Sequence, residues 1–119
     1  MKALAWIGLF VAPGAWFGQH AIGQAIAQAS CSTANASWGV SNRTWQVVLL
    51  VVSGLLILAA EAASVAAFRG TEPASYEDAP PVGRIRLIAI AAMTTNLIYL
   101  VIVLLDGIAS IVDVSCRQA

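Results

Sequence analysis

The chain has 119 residues and no net formal charge; 60% of it is hydrophobic, only 10% is charged, and its mean hydropathy is +0.83. Soluble domains carry about 25% charged residues, so this composition excludes an ordinary water-soluble globule, and the balanced charge offers nothing to a nucleic-acid partner. The charges are also segregated, with none between Lys2 and Arg43, between Arg43 and Glu61, or between Arg86 and Asp106.

Each of those gaps approaches or exceeds the roughly 20 apolar residues that a helix needs to cross the hydrocarbon core of a bilayer. They predict an all-α integral membrane protein, a single three-helix domain over 1–119 with spans at about 3–29, 45–68 and 85–110. Residues 30–44 then form an outer loop and 70–83 an inner loop. With the N-terminus inside, Lys2, Arg69, Arg84 and Arg86 lie on the inner side against Arg43 and Arg117 on the outer, so N-in/C-out is the expected orientation.

The first segment opens with Lys2 and an apolar run, and Ala25-Ile26-Ala27 passes for a leader cleavage site. Its later half is too polar for that pattern, so a retained helix is expected. Pro13 falls inside this helix and predicts a kink. Trp16, His20, Gln24 and Gln28 recur every four residues and form one slowly winding polar stripe. Gly14 and Gly18, like Ala21 and Ala25, are small-x-x-x-small pairs that let another backbone approach closely in lipid. Hydrocarbon offers amides and imidazoles nothing, so the stripe should face protein or a water-filled cavity. Gly14, Trp16, Gly18, His20, Gln24 and Gln28 are therefore the candidate helix-docking residues.

The outer loop is rich in Ser, Asn and Thr, with Trp38 and Trp45 placed as interfacial aromatics. Its two sequons, Asn35-Ala36-Ser37 and Asn42-Arg43-Thr44, carry little weight in a chain whose alanine richness and excess of arginine over lysine suggest a bacterial source. Thr44 is the expected cap of the second helix. That helix carries Glu61 about two turns from its inner end, a depth at which a carboxylate needs a partner, and Arg84, Arg86 or another subunit is the expected one. The inner loop, punctuated by Gly70, Pro73, Pro80, Pro81 and Gly83, reads as a solvated connector.

In the third helix Tyr99, Asp106 and Asp113 are seven apart and share a face, with Thr95 and Asn96 adjoining it. At about 1.5 Å per residue, His20 and Asp106 stand at similar heights, which allows a His20–Asp106 or Gln24–Asp106 contact, or simply an Asp106 that reaches interfacial water. Cys31 and Cys116 follow the first and third helices, hence on one side of the membrane; on the outer side they are free to form a disulfide closing a loop of roughly 85 residues, worth about 4 kcal/mol in the loop-entropy picture. The alternative is two unpaired thiols at the interface. One histidine, two cysteines, and no phosphate loop or nucleophile–base pair give no metal, cofactor or catalytic site, although a haem-binding module with His20 as ligand, or a quinone-binding one, is a third reading.

The stretch PGAWFGQHAIGQAIAQASC resembles an uncharacterised family of small bacterial three-helix membrane proteins with a P-x-A-W-x-x-Q pattern in helix 1 and a cysteine after each of helices 1 and 3. Pro13, Ala15, Trp16, Gln19, Cys31 and Cys116 carry the resemblance. It departs at Gly23-Gln24, where the family often has an aromatic residue. Such proteins tend to be encoded beside haem–copper terminal oxidases. The resemblance implies a non-catalytic accessory subunit of a respiratory complex in the bacterial inner membrane, cytochrome c oxidase first among the candidates, with larger membrane subunits and the lipid bilayer as its partners. The rival expectation is a homo-oligomeric transport or channel protein, its path lined by the same stripe with Glu61 and Asp106.

Overall fold

The computed structural model describes residues 1–31, 40–75 and 77–112. Among them there are three α-helices and no strand: α1 (Lys2–Ser30), α2 (Asn42–Gly70) and α3 (Val82–Val112). Each extends one to three residues beyond the predicted span at both ends. The last carbonyls of an apolar helix still need partners, and local groups supply them here. Ser30 Oγ donates to Ile26 O at 2.8 Å and the Cys31 amide to Ala27 O at 3.1 Å. At the end of α2, Thr71 Oγ1 reaches Ala67 O and Phe68 O, and Arg86 Nη1 from α3 reaches Phe68 O at 3.3 Å with its guanidinium over the Phe68 ring. The cap of α2 is a correction to the sequence reading: Ser41, in extended conformation, accepts from the Thr44 amide at 3.2 Å, and the Thr44 hydroxyl pairs with Ser41 Oγ at 2.9 Å. Serine one residue before the helix is placed to meet the third amide, which Thr44, already inside it, cannot do for itself.

The helices lie up, down and up. Gly23 meets Gln46, Ala15 meets Ser53, Gly8 meets Ser64, and Met1 meets Gly70, so α1 and α2 are antiparallel. Trp16 lies against Tyr99, Gln19 against Val103 and His20 against Asp106, so α1 and α3 are parallel and their C-terminal ends share one end of the bundle.

What holds them is a seam with a seven-residue repeat in all three. Ala5, Ala12, Gln19 and Ile26 of α1, Gln46, Ser53, Ala60 and Ala67 of α2, and Ala89, Asn96 and Val103 of α3 are all buried. This is the repeat that keeps helices at shallow crossing angles in contact along their length. Most of these side chains are small. Ala12 and Ala15 pack with Ile57 and Val103 in one cluster, and Ala5, Ala67 and Ala89 in a second. At Gly8 the approach is closest, since a Cβ there would collide with Ser64 Oγ. The large apolar side chains point the other way: Phe10, Phe17, Leu55, Leu97, Val101 and Leu105 are all exposed. Burying alanine while exposing phenylalanine and leucine inverts the pattern of a soluble bundle. Consistent with that inversion, α2 and α3 are long and apolar enough to cross a membrane, with mean hydropathies of 2.3 and 2.4 over their most apolar windows.

Candidate functional site: the polar residues of the α1 and α3 seam

Tertiary packing sorts the polar residues of α1 into two sets. Gln19, only 5% exposed, turns inward, and its Nε2 donates to Val103 O of α3 at 3.3 Å. Two residues of α2 do the same towards α1: Gln46 Nε2 donates to Gly23 O at 3.1 Å and Ser53 Oγ to Ala15 O at 3.3 Å. A helical carbonyl retains a second lone pair, so these bonds tie helices together without breaking any helix of its own hydrogen bonds. Gly23 and Gly107 make room for them. A Cβ on Gly23 would sit 3.0 Å from Gln46 Oε1, and one on Gly107 would sit 3.0 Å from Gln19 Nε2.

The predicted docking stripe divides differently. Trp16 and His20 lie along the α1–α3 groove, stacked on one another with ring centroids 6.0 Å apart, and Trp16 also meets Tyr99 at 6.0 Å. His20 Nδ1 faces Asp106 Oδ2 at 3.3 Å, the first of the two contacts that the helix heights allowed. The His20 side chain is 50% exposed and that of Asp106 31%. Gln24 and Gln28, further along the stripe, are exposed and make no hydrogen bond within the chain among the described residues. Gly14 is exposed and Gly18 half-buried, and a Cβ on either would meet nothing within 4 Å. The stripe thus starts in the α1–α3 groove and leaves the bundle at Gln24 and Gln28, and the close-packing glycines of α1 are Gly8 and Gly23 instead.

Glu61 is half-buried between α2 and α3, and its partner corrects the sequence reading. Neither Arg84 nor Arg86 serves it: Asn96 Nδ2 of α3 donates to Glu61 Oε2 at 3.2 Å and to Ser64 Oγ at 3.2 Å. Arg86 is instead drawn to the end of α2, where the Phe68 carbonyl and the Phe68 ring both engage its guanidinium. Ser64, Gln46 and Ser53 are the site residues that sequence reasoning missed, and the inward turn of Gln19 and Asn96 was not foreseen. A signal was present: Asn96 lies seven residues from both Ala89 and Val103, and Gln19 seven from both Ala12 and Ile26, so each sits in register with an apolar seam.

Cys116 and Asp113 lie outside the described residues, as do Trp38 and the first sequon. Cys31 caps α1 at the end of the bundle to which the C-terminal end of α3 also comes. No cluster of three His, Cys, Asp or Glu side chains suited to a metal ion occurs among the described residues. Family models, curated proteins and solved structures were all compared with the chain, and none matches it.

Proposed function

We propose that the chain is a non-catalytic accessory subunit of a bacterial respiratory complex, a cytochrome c oxidase assembly, held in the inner membrane by three spans with its N-terminus inside. The observation that carries this reading is the outer face of α1. Gln24 and Gln28 stand exposed without partners among the described residues and His20 is half-exposed, on a helix whose inner face is already packed against α2 and α3. Within a bilayer those amides need donors and acceptors that lipid chains do not supply, and the small residues Gly14, Gly18, Ala21 and Ala25 beside them admit a second helix at close range. α1 then crosses the bilayer as an inter-subunit helix, and at about 44 Å it is long enough to do so. A Cys31–Cys116 disulfide on the outer side would fix the ends of α1 and α3 to one another. The parent complex is named from the resemblance of helix 1 to small proteins encoded beside haem–copper oxidases, while the docking role rests on the residues themselves.

The test is purification of the tagged full chain from its own membranes in mild detergent, followed by mass spectrometry of what accompanies it. Recovery of oxidase subunits, lost when Gly14 and Gln24 are both replaced by Leu, is the expected result. A chain that emerges solely with copies of itself overturns the accessory role and favours the transport reading.

A further inference from the structure

Asn96 is 1% exposed, and its carbonyl Oδ1 is buried with no hydrogen-bond donor. Its amide nitrogen is fully used, one bond going to Glu61 Oε2 and one to Ser64 Oγ, both at 3.2 Å. The serine hydroxyl cannot fill the gap, because its own proton is committed to Ala60 O at 2.9 Å. A buried amide oxygen left unpaired is costly, and more so where no water enters.

The second anomaly is Glu61 itself. Asn96 is its hydrogen-bond partner, and among the described residues the only ion pair is His20–Asp106, about 15 Å further along α3. The groups joined to Glu61 through this bond are uncharged: Asn96 of α3 donates to it, and Ser64 of α2, which lies against Gly8 of α1, accepts from the same amide. The nearest cation on its own helix, Arg69, is exposed two turns further on, and Arg86 is engaged at Phe68.

From these two observations we infer that Glu61 and Asn96 form a proton-binding site at the α2–α3 seam. One proton resolves both anomalies. A carboxylic acid and a primary amide are complementary, each offering one donor and one acceptor, so an amide N–H···O=C bond and an acid O–H···O=C bond close a two-bond ring. The first bond is in place, from Asn96 Nδ2 to Glu61 Oε2, and the second is the one that the orphaned Oδ1 lacks. Binding forms one O–H bond on Glu61 and takes its charge from −1 to 0. The proton comes from bulk water and returns to it. Gly8 belongs to the site, because any side chain there would displace Ser64 from its place against Asn96. This inference goes beyond the accessory role and holds whichever protein covers α1; it requires only that the bundle sits in a bilayer.

The experiment uses the full chain in lipid nanodiscs with Glu72→Asp and Glu77→Asp, both exposed loop positions, so that Glu61 is the sole glutamate. With glutamate labelled by 13C at its side-chain carboxyl, the isotope-shifted infrared bands report the state of Glu61 alone. The expected result is a single protonated-carboxyl C=O stretch at neutral pH, which moves to higher frequency when Asn96→Leu removes the amide. The paired bands of an ionised carboxylate at neutral pH overturn the inference, and so does a stretch that ignores Asn96→Leu. A second arm needs no label: Glu61→Gln keeps a donor and an acceptor on the same frame and melts with the wild type, whereas a large loss of thermal stability in that variant shows that a negative charge is required there and sinks the proposal.

Discussion

α1 and α3 run parallel, have nearly equal lengths and pack through small residues spaced by seven, yet their outer surfaces differ. α3 shows Leu97, Val101, Leu105 and Ile108 to its surroundings, a surface that lipid chains satisfy. α1 shows Phe10 and Phe17 with Gly14, Ala21, Gln24 and Gln28 between and beyond them. By the measure of length and apolarity that α2 and α3 pass, α1 falls short. On the proposed reading, a helix loses apolarity when it has two packing faces. Its inner face carries alanine, glycine and one amide to meet α2 and α3, and its outer face again carries glycine, alanine and amides, which nothing among the described residues covers.

That contrast can be broken most forcefully at the core. Ile57→Ala, at a position 1% exposed between α1 and α3, should cost the purified chain about 3 kcal/mol in detergent unfolding, whereas Leu55→Ala, 62% exposed, should cost less than about 1. Equal losses would mean that the bundle described here does not form. Next comes Gly8→Val, which forces a side chain against Ser64 and should destabilise by about 2 kcal/mol, while Gly14→Val on the outer face should stay within about 0.5. If Gly14→Val proves the more damaging in the isolated chain, the two faces of α1 have been exchanged.

A smaller effect separates the amides. Gln19→Leu removes the bond to Val103 O and leaves a mismatch beside Gly107, for about 1 kcal/mol, whereas Gln24→Leu should leave the isolated chain as stable as before and lower only its recovery with partner subunits. Smallest is the outer pair. Asp106→Asn should change stability by less than about 1 kcal/mol, because both side chains remain partly exposed, while altering the near-ultraviolet circular dichroism of Trp16 as His20 shifts against it. An unchanged spectrum would remove His20–Asp106 as the element that sets the Trp16 stack.

Parts of this organisation were legible without coordinates. Three helices, their order and their approximate ends followed from the charge gaps, because the energetic penalty on charge inside an apolar segment leaves a mark in one dimension. The His20–Asp106 contact was legible for a similar reason: rise per residue converts sequence position into height, and equal heights on parallel helices permit contact. The cap at Ser41 was missed by placing the helix start three residues late. The partner of Glu61 was missed by looking to Arg84, Arg86 or another subunit, although an amide also offers a carboxyl group a donor.

The amino-acid order by itself determined that this chain forms long, uncharged helices with polar groups at fixed heights along them. Which polar groups turn inward was decided by tertiary structure alone. A stripe of four-residue spacing and a seam of seven-residue spacing coexist on α1, and helical periodicity ranks neither above the other. The choice fell to volume: Gly8, Ala12 and Ala15 admit α2 and α3 at close range, so Gln19 went into the bundle with them and Gln24 was left outside.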